Sequence, residues 1–181
     1  DTNKDGSPRY YSYGTTFFNY GLIPQTWEDP EMMSMGYGAD NDPIDVIELG
    51  NSPLQMGSIT PCRVIGELEL IDEGETDHKI LCIALSDPLS SQVFSMEDLE
   101  KVKPGTLDLL RDWLKRYKTT DGKPENSLAS ETPRSVNDAL QVIAEVYVRW
   151  KKLCGKDGTR RTELSSKTED FWLSSPNCRG T

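Results

Sequence analysis

The sequence predicts an α+β fold, mainly β, in which a small sheet or barrel carries two helices on its outside. Apolar runs rich in β-branched residues occupy roughly the first hundred positions, whereas helical periodicity appears only after them. Strands followed by helices favour segregated layers over alternating β and α units. The length of 181 residues suits one domain with a sizeable core.

Three segments are predicted to form the principal strands. They are DVIEL (45–49), ITPCRVIGELELI (59–71) and KILCIAL (79–85), and turn signals separate them. Gly74, in the turn DEGETD, permits a tight reversal. We therefore expect the second and third strands to pair antiparallel, which would bring Asp72 and Asp77 across from each other at the strand ends.

The first predicted helix covers GTLDLLRDWLKRYK, residues 105–118. Apolar side chains recur there at steps of three and four, the spacing of one helix face. The residues predicted to be buried are Leu107, Leu110, Leu114 and Tyr117.

The second predicted helix lies within TPRSVNDALQVIAEVYVRWKKLCG, residues 132–155. Thr132 is the expected N-cap, Pro133 the first helical residue and Gly155 the residue after the end. The face predicted to be buried consists of Val136, Leu140, Ile143, Tyr147, Trp150 and Cys154.

Composition and charge exclude several classes of function. The net charge is −10, and the strongest basic cluster follows a predicted helix end, so nucleic-acid binding is not expected. No apolar run approaches the ~20 residues that a membrane span needs, and we expect no membrane partner. The four cysteines form no C-x-x-C pair and His78 is the only histidine, which argues against a zinc site.

The stretch GADNDPIDVIELG, residues 38–50, crowds Asp40, Asp42 and Asp45 against an apolar strand. At about 6 Å each pair repels by about 0.7 kcal/mol in water and by more in a drier site. Pro43 stiffens the loop, so the carboxylates can converge on a hard cation such as Mg²⁺ or Mn²⁺. An EF-hand is excluded because its fifth position would be an isoleucine. A solvated acidic turn remains the alternative.

A second acidic cluster and several cationic or phenolic residues strengthen the metal interpretation. Two acidic clusters at strand ends could share one multi-metal site, and cations facing metal ions are suited to a phosphate polyanion. The second cluster is Glu69, Asp72, Glu73, Glu75 and Asp77, and the candidate phosphate contacts are Arg9, Tyr20, Lys79, Tyr117 and Lys118.

Four separated motifs resemble the soluble, metal-dependent inorganic pyrophosphatases of the first family, eukaryotic type. They are NYGLIPQTWEDP, DNDPIDV, IDEGETDHK and RYKTTDGKPEN, and the resemblance covers residues 1–155. It implies a five-stranded OB-like barrel with two principal helices packed outside. It also implies an enzyme, an inorganic diphosphatase, that hydrolyses pyrophosphate to two orthophosphates with several Mg²⁺ ions, for which Mn²⁺ or Zn²⁺ could substitute.

The resemblance also implies roles for individual residues. Asp45 would bridge two ions, and Asp42 would accept a proton from the attacking water. Water would attack directly, without a phosphoenzyme, since no other nucleophile is required. The implied metal ligands are Asp40, Asp45, Asp72 and Asp77. The implied catalytic residues are Asp42, Tyr20 and Lys118, and the implied substrate contacts are Arg9, Tyr20, Lys79, Tyr117 and Lys118.

Two features of this sequence differ from the family pattern. Relatives carry a lysine and two glutamates in strands upstream of the arginine, so we expect N-terminal strands to be missing from this chain, which starts at Asp1. His78 stands where relatives commonly have tryptophan, and we interpret it as a strand residue that faces away from the metals.

We expect a catalytic domain over residues 1–155 and a C-terminal extension over residues 156–181. The extension contains Phe171 and Trp172, in a segment that resembles the dimer interface of eukaryotic relatives. The predicted state is a homodimer and the predicted compartment the cytoplasm, with an organelle as the alternative.

Two other functions remain open at this stage. One is an inactive or metal-binding module related to pyrophosphatases. The other is a metal phosphohydrolase that acts on polyphosphate or nucleotides.

Overall fold

A computed structural model describes residues 5–8 and 10–155 of the chain. The strands are β1 (Asn19–Leu22), β2 (Met33–Ser34), β3 (Tyr37–Ala39), β4 (Asp45–Glu48), β5 (Cys62–Asp72), β6 (Glu75–Ala84) and β7 (Ser127–Leu128). The α-helices are α1 (Met96–Val102), α2 (Thr106–Arg116) and α3 (Val136–Leu153).

The strands form one mixed sheet centred on β6. On one side β6 pairs antiparallel with β5, and on the other it pairs parallel with β3 and β4. Glu73 and Gly74 join β5 to β6 with positive φ angles of 51° and 90°, the conformation that a two-residue hairpin turn prefers. The predicted hairpin and a mainly β α+β fold are confirmed, but the register places Asp72 opposite Glu75 and Asp77 opposite Leu70, so the two aspartates do not face each other as expected.

The three helices of the described region lie on both faces of the sheet. On one face α1 and α2 pack over a large core, to which Leu81 and Ile47 contribute from the strands and Leu110 and Leu114 from α2. On the other face α3 packs over a smaller core that includes Ile80. Neighbouring residues of β6 thus point to opposite cores, as the alternation of a strand requires.

The predicted buried face of α2 is confirmed, since Leu110 and Leu114 are buried and Leu107 and Tyr117 pack at the edge of the core. The short helix α1 was not predicted. It has only seven residues, capped by the Ser95 side chain, and its apolar repeat is too brief to stand out in the sequence.

The predicted start of α3 is wrong. Ser135, not Thr132, is the N-cap, and it forms a capping box with Asp138. The two residues before it cannot be helical because Arg134 forms a backbone bridge with Glu67 of β5. Pro133 therefore belongs to the connection rather than to the helix.

The predicted buried face of α3 is only partly correct: Trp150 is buried, and Ile143 and Cys154 pack at the edges of buried clusters. Leu140 and Tyr147 are 48% and 41% exposed, because apolar residues occupy more than one face of this helix. The residues that are buried are Ala139, Val142, Val146, Trp150 and Leu153. Only Trp150 was predicted among them, although Gly155, with φ 66°, does follow the end of the helix as expected.

Among the described residues, none of the helices combines the length and the apolar composition that a membrane-spanning helix requires.

Candidate active site

A cavity of about 800 Å³ opens where β4 and β6 begin and β5 ends. Nine of the ten side chains singled out from the sequence line it. The tenth, Arg9, lies outside the described residues. The lining residues are Tyr10, Tyr11, Tyr20, Gly21, Leu22, Asp40, Asp42, Pro43, Asp45, Asp72, Glu73, Glu75, Asp77, Lys79, Tyr117 and Lys118.

The loop between β3 and β4 presents the aspartates to this cavity. Its centre turns at Asn41, which has a φ of 72°, and the backbone N–H of Asp42 donates to Asp40 Oδ1 at 3.0 Å. Ile44 is fully buried, and its N–H donates to Thr26 Oγ1 at 3.0 Å. The apolar anchor thus fixes the loop while the carboxylates stay at the cavity.

Three carboxylates converge beside the cavity, and two of them, Asp40 and Asp77, line it. Oxygen atoms of Glu28, Asp40 and Asp77 lie within 4.8 Å of one another. Glu28 is held by the backbone N–H of His78, which donates to its Oε1 at 3.1 Å. Glu28 Oε2 and Asp77 Oδ1 are buried and have no hydrogen-bond partner among the described residues.

These carboxylates have perturbed pKa values. Burial, reinforced by the charge of Asp77, raises the pKa of Asp40 to about 8. Burial also raises the pKa of Asp77 to about 6, against the opposing effect of Lys79. The pKa of Glu28 is raised well above its usual value by burial and then by Asp40 and Asp77. Without a bound cation, ionisation of all three carboxyl groups together is energetically unfavourable.

The donor set fits a hard divalent cation. All of the converging atoms are carboxylate oxygens, which Mg²⁺ and Mn²⁺ prefer. Glu28 and Asp77 each have one buried oxygen without a hydrogen-bond partner in the described part of the chain. A divalent cation would remove the mutual repulsion that raises the pKa values of these groups. Glu28, Asp40 and Asp77 are the residues that could hold it.

Lys79 is the cationic centre of the site and is buried on β6. Its Nζ donates to Asp45 Oδ2 and Asp77 Oδ2, both at 2.5 Å, and to the hydroxyl of Tyr20 at 2.8 Å. Tyr20 in turn donates to Asp45. Burial alone would lower the pKa of Lys79, but Asp77, Tyr20 and Asp45 outweigh it and hold that pKa well above its usual value.

A second cationic group stands at the end of α2. Lys118 Nζ lies 2.7 Å from Asp72 Oδ1, and the hydroxyl of Tyr117 donates to Asp72 Oδ2 at 3.0 Å. Burial, and then the charge of Asp72, raise the pKa of the Tyr117 phenol, so it remains a donor. The end of α2 therefore adds two hydrogen-bond donors that face the β5–β6 turn.

Asp42 differs from the other aspartates because it is exposed at the cavity. Partial burial of its carboxyl group, with the charge of Asp45, raises its pKa. A carboxylate with a raised pKa is a better proton acceptor, so Asp42 has the chemistry of a general base.

Sequence reasoning missed Glu28, although it lies inside the motif NYGLIPQTWEDP. The signal was an acidic residue directly after Trp27 in a segment that turned out to be buried. The interpretation of His78 is confirmed: its Nδ1 lies 2.5 Å from Glu67 Oε1 in a buried pair, away from the carboxylate cluster. The predicted extension over residues 156–181 lies outside the described residues.

Comparison with known proteins gives consistent matches. The model of the family described as inorganic pyrophosphatase matches residues 4–151. The soluble inorganic pyrophosphatase 6, chloroplastic, of Arabidopsis thaliana is 45% identical over 157 residues, which are 84% of this chain and 52% of the relative. The mitochondrial inorganic pyrophosphatase of Saccharomyces cerevisiae is 41% identical over 161 residues, 83% of this chain and 52% of the relative.

A solved structure shares the fold. It is an N-terminally truncated vacuolar soluble pyrophosphatase of Trypanosoma cruzi in complex with PPi, with a TM-score of 0.80 and 37% identity. The match covers 83% of this chain and 58% of that one. The chain thus spans about half the length of the curated relatives that it matches.

Proposed function

Since the chain belongs to the inorganic pyrophosphatase family, we propose that it hydrolyses pyrophosphate to two orthophosphates with Mg²⁺ as the cofactor. One observation carries the proposal. Asp40 and Asp77, two of the three converging carboxylates, line the same cavity as two lysines, so it offers sites for cations and donors for a polyanion together. A substrate with several negative charges needs both.

The carboxylates would hold the cations. Asp40 and Asp77 converge with Glu28, while Asp45 and Asp72 line the same cavity. A bound divalent cation would polarise phosphate oxygens and lower the pKa of a coordinated water. Mn²⁺ or Zn²⁺ could substitute, although an all-oxygen donor set favours the harder ions.

The donors would bind the phosphates. Lys79 of β6 and Lys118 after α2 supply positive charge to the cavity, and Tyr20 and Tyr117 supply hydroxyl groups beside them. Their partners are now carboxylates, which the substrate's oxygens would partly replace. Arg9 is a further candidate from the sequence.

Asp42 would accept the proton of the attacking water. It is exposed to the cavity, and its raised pKa suits a general base. No serine, cysteine or histidine lines the cavity within the described ranges, which supports direct attack by water. Tyr20 and Lys118 would stabilise the phosphate groups during the transfer.

Orthophosphate release tests this proposal. We expect turnover of pyrophosphate with Mg²⁺, little turnover of ATP or tripolyphosphate, and a loss of about 10²- to 10⁴-fold in kcat for Asp42→Asn. Asp112→Asn, a change in a surface ion pair of α2, is the matched control. A preference for ATP or tripolyphosphate would identify another phosphohydrolase, and metal binding without turnover would identify an inactive module.

The remaining expectations are part of the same proposal. Residues 1–155 would form the catalytic unit, and residues 156–181 would contribute to a homodimer. The two organellar relatives leave the compartment open between the cytoplasm and an organelle.

A further inference from the structure

A group of aromatic rings forms part of one wall of the cavity. The ring of Tyr11 contacts those of Tyr20, Tyr117 and Trp113 with centroid distances of 6.3, 5.9 and 5.2 Å. All three contacts are edge-to-face, with interplanar angles of 71° to 79°. This geometry is the favourable one for aromatic pairs.

Tyr11 joins two phenols that come from different elements. Tyr20 belongs to β1 and its hydroxyl reaches Asp45, whereas Tyr117 follows α2 and its hydroxyl reaches Asp72. Trp113 stacks on Tyr117 at 4.7 Å but is not in ring contact with Tyr20. In the described part of the chain, Tyr11 is the ring that contacts both phenols.

The position of Tyr11 separates it from the core. It is 44% exposed and lines the cavity, whereas its neighbour Trp113 is only 7% exposed and belongs to the core. Replacement of Tyr11 should therefore loosen the wall without opening the core. The side chains of Tyr20 and Tyr117 would lose the ring that contacts both of them, while β1 and α2, which position them, would stay in place.

We propose that Tyr11 is a positioning residue for pyrophosphate. Its ring holds the hydroxyl groups of Tyr20 and Tyr117 in the arrangement that binds the phosphate oxygens. The proposal rests on the proposed function and deepens it by assigning a residue that supports the substrate contacts. The contacts with Tyr20 and Tyr117 are made by the ring of Tyr11. Tyr11→Phe should therefore preserve pyrophosphate binding, whereas Tyr11→Ala should weaken it.

Steady-state kinetics of the intact protein with Mg²⁺ and pyrophosphate test the assignment. We expect Tyr11→Ala to raise KM about three- to tenfold, since it removes two or three aromatic contacts. Because it also loosens Tyr20, which stabilises the phosphate groups during the transfer, it should lower kcat as well, but by far less than Asp42→Asn does, since Asp42 and the carboxylate cluster are untouched. Tyr11→Phe should keep both constants within about twofold of the parent. Calorimetric titration with the non-hydrolysable imidodiphosphate should show the same pattern in Kd.

Tyr147→Ala is the matched control. Tyr147 is 41% exposed and stacks on Trp150 at 6.0 Å, but it lies on α3, away from the cavity lining. It should lower thermal stability as much as Tyr11→Ala does and leave KM and Kd unchanged.

The outcomes are distinguishable. Unchanged KM and Kd in Tyr11→Ala, with an active parent, would overturn the inference and leave the proposed function standing. Equal losses in Tyr11→Phe and Tyr11→Ala would overturn it as well, since the hydroxyl group would then be responsible. A parent that neither hydrolyses pyrophosphate nor binds imidodiphosphate would refute the proposed function and, with it, the inference.

Discussion

Glu28, Asp40 and Asp77 show how burial and charge act on single residues. Each carboxylate would ionise freely in water, yet here burial and mutual repulsion raise their pKa values. The folded state without metal therefore binds more protons than the unfolded state above about pH 4. Stability gained from these protonated groups is lost as the pH rises, through about 6 for Asp77 and about 8 for Asp40.

The first prediction concerns the linkage between pH and Mg²⁺. A divalent cation cancels the repulsion, so we expect Mg²⁺ to raise the Tm more at pH 8 than at pH 6, by several degrees. About 1 kcal/mol corresponds to about 2–4 °C for a chain of this size. Thermal unfolding with Mg²⁺ and with EDTA measures the difference.

The matched variant for this experiment is Asp40→Asn, which removes the carboxyl group whose pKa lies near 8. We expect it to flatten the pH dependence, while Asp108→Asn on the surface of α2 should not. An Mg²⁺ effect in the parent that is equal at both pH values would contradict this account of the cluster.

The second prediction concerns Asp42. Its replacement by asparagine keeps the shape but removes the proton acceptor, so the acidic limb of the profile of kcat against pH should disappear. That limb in the parent should lie above the usual range of an aspartate, because the pKa of Asp42 is raised. An unchanged limb in Asp42→Asn would assign the general base to another group.

At the scale of elements, the connection before α3 shows where sequence signals compete. Thr132 followed by Pro133 matches the start of a helix as well as Ser135 does. Strand β5 determines which of the two residues begins the helix. Its residue Glu67 pairs with the backbone of Arg134 and keeps Arg134 extended, so the helix cannot begin before Ser135. A contact between residues 67 positions apart is not visible in a local pattern.

The third prediction tests this boundary. Ser135→Ala should lower the free energy of unfolding by about 1 kcal/mol, since it removes the side-chain acceptor of the capping box. Thr132→Ala should change it by less than about 0.5 kcal/mol. Urea unfolding of both variants measures these changes in the free energy of unfolding. A larger loss in Thr132→Ala than in Ser135→Ala would contradict the assignment of Ser135 as the N-cap.

Strand β6 carries the site on one face and a buried polar pair on the other. His78 Nδ1 lies 2.5 Å from Glu67 Oε1, and Arg134 Nη1 lies 3.5 Å from the same oxygen. Glu67 is fully buried, so its carboxylate depends on these two partners. The pair ties β6 to β5 directly behind Asp77 and Lys79.

The fourth prediction follows from the burial of this pair. His78→Phe should destabilise the protein by about 2–4 kcal/mol, because it leaves Glu67 with an incomplete set of partners. The double variant Glu67→Leu with His78→Phe should recover at least half of the loss. Gln141→Ala, which removes an exposed hydrogen bond on α3, is the control. Additive losses in the double variant would show that the two residues act independently.

At the scale of the whole molecule, the sequence was sufficient where the position of a side chain depends on local order. The aspartates around Pro43, the turn at Gly74 and the two residues after α2 were predicted because each lies at the end of an element. The metal interpretation also required the acidic cluster that contains Asp42 and the one that contains Asp77 to lie close together, and both residues line the cavity.

The sequence was insufficient where a residue's role depends on distant partners. Glu28 enters the cluster because the backbone of His78, 50 positions away, fixes its side chain. Tyr11 meets Trp113 and Tyr117 only after α2 has packed against the sheet. Neither contact leaves a periodic signal in the sequence, so only the assembled fold reveals it.

The most direct test of the central claim is the rate of orthophosphate release from pyrophosphate as a function of Mg²⁺ concentration. It should be made in the parent and in Asp77→Asn, which removes a ligand from the carboxylate cluster. We predict no turnover in EDTA, saturation with Mg²⁺ in the parent, and a requirement for at least tenfold more Mg²⁺ in the variant, on the order of the loss for one metal-site group. Turnover without a divalent cation, or the same Mg²⁺ dependence in both proteins, would contradict the claim.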